Sequence, residues 1–246
     1  MKREVDRSVI EVLQKQILGL QGVQRSQEQA LRIGLGAMEL AFPGKTFPRA
    51  AVHEFISTTS QQAACTSGFM SVILGKLMQQ EGVCVWVSTR PRRAVFPPAL
   101  KAFGVEPHRI LFVDTDKPKQ TLWALEEALK CDAVTAVVGE LNELDFNESR
   151  RFQLAVEESR ATGFIHRFRP KNMNAVACTS RWKINSLPSV TPDGLPGVGF
   201  PRWNVQLHKV RNGIPGEWQV QWSPKKGLEY LRETGLAAQS NERQTG

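Results

Sequence analysis

Residues 50–77 read AAVHEFISTTSQQAACTSGFMSVILGKL, and this stretch decides the fold. The short stretch Val52 to Ile56 predicts a strand. A small polar loop from Ser57 to Gly68 follows, and an apolar helix continues over Gly68–Gln80. A strand feeding a loop that opens a helix is the layout of a phosphate-binding P-loop. There, glycines let backbone N–H groups close on phosphate, and a lysine followed by Ser or Thr meets the outer phosphates and magnesium. This loop has the layout without the chemistry, with one glycine, Gly68, and no lysine. Ser57, Thr58, Thr59, Ser60, Thr66, Ser67 and Gly68 make it a degenerate phosphate loop. The triplet Gly44-Lys45-Thr46 precedes the strand, lies between Pro43 and Pro48, and reads as a turn.

Outward from this stretch, strands and helices alternate. Val83–Ser88, Ile110–Val113, Val134–Val138 and Phe164–Phe168 are near-continuous apolar runs. Between them lie helical patterns near Pro98–Phe103, Thr121–Lys130 and Glu148–Ser159. Apolar runs without in/out alternation are buried on both faces, as in a parallel sheet covered by helices. Spacing by helical periods gives βαβ units. The pattern predicts an α/β core over about 50–170. After Pro170 the period becomes two, in Val176–Ile184, Trp203–Val210 and Trp218–Trp222. Arg211–Gly216 carries an Asn-Gly turn signal. These strands are expected to add to the sheet edge as an antiparallel extension from about residue 175. Residues 1–49 read as an N-terminal amphipathic helix (Val5, Val9, Val12, Leu13, Ile17, Leu20) and an irregular connector. Residues 223–246 read as a flexible polar tail in which Leu228 to Leu236 form a helical turn or two.

Composition narrows the function classes. Cys65, Cys84, Cys131 and Cys178 are widely spaced, with no C-x-x-C, which argues against zinc and against a disulfide framework. The charged N-terminus carries no leader-like apolar run, and no stretch is apolar enough to span a membrane, so a cytoplasmic location is expected. The net charge is +8. Residues 1–148 hold 17 Lys+Arg and 17 Asp+Glu, and residues 149–246 hold 15 and 7. The whole excess therefore lies in the last two fifths, which points to an anionic partner there.

No catalytic set emerges. A P-loop ATPase needs an acidic residue ending the neighbouring strand to hold magnesium. Gly139 stands where an aspartate is expected, with Glu140 one position on, and Glu140 serves only if its strand has already ended. His53 and His166 lie inside strands and read as core histidines. The basic residues Arg90, Arg92, Arg93, Arg150, Arg151, Arg167, Arg169, Lys171, Arg181 and Lys183 are candidate contacts to nucleic acid or to an acidic protein surface. Leu228, Tyr230, Leu231 and Leu236 are candidate exposed anchors for a protein partner.

The segments TLWALEEAL, VVGEL with SRRFQLA, and PRWNVQL with PGEWQVQW resemble the ImuA family, RecA-like proteins associated with bacterial translesion synthesis. The resemblance runs from about Val52 to Trp222. It implies a RecA-like sheet flanked by helices and a role in SOS-regulated damage mutagenesis. The implied partners are an ImuB-type inactive Y-family-like polymerase and a DnaE-type error-prone polymerase, with RecA and single-stranded DNA as further contacts. The P-loop lysine and the strand-end aspartate of RecA have no counterpart here, so the expected function is non-catalytic and without a bound cofactor. Two alternatives stand beside it. One is an ATPase with an atypical site using Lys45 or Lys76. The other is an inhibitor of cell division resembling SulA over about residues 70–170, whose shorter chains lack the PRWNVQL and PGEWQVQW strands.

Overall fold

The computed structural model describes residues 33–79, 82–89, 95–191 and 197–232. One mixed sheet of nine strands runs through them: β1 (Val52–Ser57), β2 (Cys84–Thr89), β3 (Ile110–Thr115), β4 (Ala136–Leu141), β5 (Thr162–Phe168), β6 (Ser180–Leu187), β7 (Arg202–Val210), β8 (Gly216–Ser223) and β9 (Gly227–Arg232). The spatial order is β3-β2-β4-β5-β1-β6-β7-β8-β9. The strands from β3 to β6 in that order are parallel, and β7, β8 and β9 are antiparallel. This mixed sheet with flanking helices is consistent with a RecA-like topology.

Three helices flank it: α1 (Ser60–Leu77), α2 (Pro118–Leu129) and α3 (Phe146–Ser159). Strands β1 and β4 are buried along their whole length, including the polar His53, Glu54 and Glu140 within them. Helix α1 covers one face of the sheet. Phe55, Trp86, Val138, Phe164, Trp182, Trp203 and Trp218 pack there with Phe69 and Met70 of the helix. Helices α2 and α3 cover the other face over β2, β4, β5 and β1, around Val87, Leu125, Val137, Phe152 and Ile165. Close approach needs glycine at one point in particular. A Cβ on Gly75 of α1 would lie 2.1 Å from the Phe103 carbonyl oxygen, so the helix seats directly on the 3-10 turn Pro97–Phe103.

The C-terminal part departs from expectation in two ways. Strand β6 is parallel to β1, so the loop 169–179 is a crossover, and only β7 to β9 form the antiparallel extension. The expected helical turn within the tail is instead strand β9, paired with β8. Its turn closes at Gly227, whose φ of +74° suits glycine. Leu228 and Tyr230 share the core face with Trp222 and Val220. The connector likewise joins the core from Ile33 onward. Leu35, Met38, Phe42 and Phe47 are buried, and Gly36–Ala41 is a 3-10 turn. The expected N-terminal helix lies outside the described residues.

Candidate functional site

In an open α/β sheet, ligands sit beyond the carboxyl ends of the parallel strands. At the end of β1 the expected long loop is absent. Strand β1 ends at Ser57 and α1 begins at Ser60, with only Thr58 and Thr59 between. The reason is an N-cap at Thr59, with Gln62 reaching back to the residue before it. The Thr59 hydroxyl accepts from Gln62 N (3.2 Å), and the Gln62 side-chain oxygen accepts from Thr58 N (2.8 Å). Gln61, Gln62, Ala63 and Ala64 are adequate helix formers, so the helix starts at once. Thr66, Ser67 and Gly68 are therefore helical. The first two are buried, and a Cβ on Gly68 would stand 3.0 Å from the Trp203 ring.

Of the hydroxyls expected to meet phosphate, Ser57, Thr66 and Ser67 are buried, whereas Thr58, Thr59 and Ser60 are exposed at the helix start, where Thr58 Oγ1 donates to Gln62 Oε1 (2.8 Å). Ser57 Oγ lies 2.9 Å from Thr66 Oγ1 and 2.9 Å from His166 Nε2, all buried. His53 is equally enclosed, with Nδ1 2.6 Å from Ser180 Oγ and Nε2 2.8 Å from the Pro48 carbonyl. Burial lowers both histidines to about 4. Their folded pKa lies below the unfolded value, so the unfolded chain binds more protons as the pH falls. The stability they support is complete above about pH 6.5 and drains away toward pH 4. The unfolding free energy is expected to fall between pH 7.5 and 5, by up to about 2 kcal/mol per histidine, and the urea midpoint with it. A midpoint independent of pH over that window refutes the assignment of buried neutral imidazoles.

Glu140 sits inside β4, because that strand continues to Leu141. It is buried and accepts the Trp86 indole N–H at 3.0 Å. The condition for a strand-end magnesium ligand is thus not met. Lys45 closes the expected turn, donating its N–H to the Phe42 carbonyl (2.9 Å). Lys76 is in the last turn of α1, the end remote from Ser57, beside Gly34. Burial lowers its pKa, and the Glu39 charge opposes that shift. Neither lysine replaces a P-loop lysine at Thr58 and Thr59.

The basic candidates separate into distinct places. Arg167 is not a surface cation, because its side chain is fully buried. It sits on β5 next to Glu54 of β1, so burial there requires a counter-charge. Its Nη1 meets Glu54 Oε1 at 2.7 Å, and Nη2 donates to the Asn172 carbonyl and Asn174 Oδ1, both at 3.0 Å. Arg181 is mostly buried and donates from Nε to Glu54 Oε2 at 2.5 Å. These two arginines hold the crossover loop to the sheet. Arg150 and Arg151 are exposed on α3, and Arg151 pairs with Glu126 of α2. Arg169 and Lys171 are exposed on the loop after β5, and Arg169 Nε donates to the Thr58 carbonyl at 3.3 Å. Lys183 is half-buried on β6. Arg90, Arg92, Arg93 and Leu236 lie outside the described residues.

Leu228 and Tyr230 are not exposed anchors. The Tyr230 hydroxyl donates to the Leu35 carbonyl and accepts from Met38 N (2.9 Å), clamping the N-terminal segment onto β9. Leu231 is partly buried on the same strand. What sequence reasoning missed was the alternation Leu228, Tyr230 after a Lys-Gly turn, which a short strand explains as well as a helical turn.

The comparisons are decided by coverage. Protein ImuA of Caulobacter vibrioides, from two strains, is 31% identical over 209 residues, spanning 80% of this chain and 85% of the relative. The chain belongs to the ImuA family. No family model matches it. The matched length exceeds what β1 to β6 alone supply, so the ImuA likeness is not confined to the parallel core. Among the described residues, no helix of this ImuA-family chain is long and apolar enough to cross a membrane, and no cluster of His, Cys, Asp and Glu is suited to hold a metal.

Proposed function

We propose that this ImuA-family chain is a non-catalytic accessory protein of a bacterial error-prone translesion synthesis complex in the SOS response. The observation that carries the proposal is the extent of the ImuA match, 209 residues at 31% identity. The short β1–α1 junction supports the non-catalytic part, since only Thr58 and Thr59 separate strand from helix and no lysine lies there to meet a triphosphate. In this reading the chain binds an ImuB-type polymerase-like partner and works with a DnaE-type polymerase, with RecA or DNA meeting Arg150, Arg151, Arg169 and Lys171. Trp123 of α2, 67% exposed, and Phe146, 50% exposed at the start of α3, are better-placed apolar anchors than Leu228 and Tyr230.

ATP titration with magnesium, followed by turnover with and without single-stranded DNA, tests the catalytic question. The expected result is neither binding nor hydrolysis; turnover abolished by Lys45→Ala would establish the ATPase alternative instead. Co-purification with an ImuB-type partner tests the accessory role. Trp123→Ala is expected to weaken capture, and removal of residues 233–246 is the appropriate tail truncation, because a cut at 223 would also remove β9. Failure of the intact chain to capture that partner would sink the accessory reading.

A further inference from the structure

The sheet is covered unequally. Helices α2 and α3 pack over β2, β4, β5 and β1, and the crossover loop 169–179 covers the β1–β6 boundary through Val176 and Cys178. Beyond it, no described helix packs on that side of β7, β8 or β9. Pairing register gives the side chains on this bare face. Lys183, Gln206 and Glu217 form one row; Asn185, Asn204 and Gln219 form the next; Arg202, Gln221 and Glu229 form a third. Lys209, opposite Arg181, and Arg211 lie along its near margin. Trp203, Trp218 and Trp222 all belong to the opposite, covered face.

Several features specify the occupant. On this face and its margin Lys183, Arg202, Lys209 and Arg211 stand against Glu217 and Glu229, a modest positive excess. The face is lined with amides that are already ordered: Arg202 Nε donates to Gln221 Oε1 at 2.7 Å, and Asn204 Nδ2 to Glu217 Oε1 at 2.6 Å. The local potential is positive enough to be felt by His208. Its pKa is lowered first by burial and then by the Lys183 and Arg181 charges, with Glu217 opposing. Four strands at about 4.8 Å spacing give a width on the order of 15–20 Å. Without an aromatic side chain the face offers no stacking platform for unpaired bases. Ordered amides and cations suit phosphate and sugar groups instead.

We propose that the bare face of β6 to β9 is a sequence-independent docking surface for the phosphodiester backbone of duplex nucleic acid. It does not rest on the accessory role proposed above; either can fail without the other.

The test is fluorescence anisotropy of the full chain with a labelled random-sequence duplex, at low and at physiological salt. Wild type is expected to bind, with affinity falling steeply as salt rises. Lys183→Glu with Arg202→Glu is expected to weaken binding at least about tenfold. Lys101→Glu with Lys119→Glu makes the same charge change at exposed positions away from β6 to β9 and is expected to have a much smaller effect. Gln219→Lys adds a cation at the centre of the face and is expected to tighten binding, a gain that misfolding cannot produce. No binding at low salt overturns the proposal. So do equal losses in the two double variants, which would mean bulk charge alone. Preference for an unpaired strand that survives the Lys183 and Arg202 reversals places nucleic acid elsewhere and overturns it too.

Discussion

Glu54→Ala is expected to cost about 3–5 kcal/mol, enough to leave much of the chain unfolded. Glu54 is fully buried on the central strand and is the carboxylate between two arginines. Removing it leaves Arg167 buried with only Glu143 nearby, at 3.4 Å and half-exposed, and leaves Arg181 with no carboxylate. The crossover loop should then detach, because Asn172 and Asn174 are held there through the same guanidinium. Glu54→Gln keeps the volume and loses the charge, so it is expected to be nearly as damaging. A triple apolar replacement, Glu54→Leu with Arg167→Met and Arg181→Met, should regain part of the loss, since no charge is then stranded. Urea unfolding reads all three. A Glu54→Ala variant within about 1 kcal/mol of wild type would show that the network contributes little.

Trp182→Ala is expected to be as severe, by a different route. The indole is fully buried at the middle of an aromatic seam, with Phe55 at 6.2 Å, Phe42 at 6.1 Å and Phe69 at 6.0 Å between centroids. Truncation leaves a cavity where α1, β1, β6 and the N-terminal segment meet, at a cost of about 3–5 kcal/mol. The indole N–H also donates to Ser180 Oγ at 2.7 Å, the hydroxyl that contacts His53. Trp182→Phe retains most of the packing and should lose much less. If alanine and phenylalanine were equally damaging, the hydrogen bond rather than the packed volume would be the main contribution.

The parallel core was legible because strands buried on both faces write themselves as unbroken apolar runs; VCVWVS and VTAVV needed no context. The strand–helix junction at Thr59 was misread, although its signal was present. Thr59-Ser60-Gln61-Gln62 is a capping box in sequence, but the layout of a P-loop drew the helix start several residues too late. Glu140 was misplaced for a related reason. Strand ends are weakly encoded, and one more turn of the pleat takes a carboxylate from the rim to the interior. Arg167 and Arg181 could not be separated from surface arginines by charge alone. Their burial depends on Glu54, more than a hundred residues earlier, and only the pairing of β1 with β5 and β6 brings them together. Strand β9 lacked the length that makes a pattern secure, and its glycine turn was the better clue.

That central position of β1 has a consequence for the order in which the chain can acquire its structure. Both neighbours of β1 are made late: Val52 pairs with Gly163, and His53 with Ser180. During synthesis from the N-terminus, at about 5–20 residues per second, this fully buried strand waits roughly 5–25 seconds for its first partner. Until then α1 can shield one face, but both edges stay open. An edge of that kind recruits other chains as readily as its own. A messenger truncated before β6 would therefore yield a product with its central strand unsealed on one side, prone to aggregate rather than to function as a smaller domain.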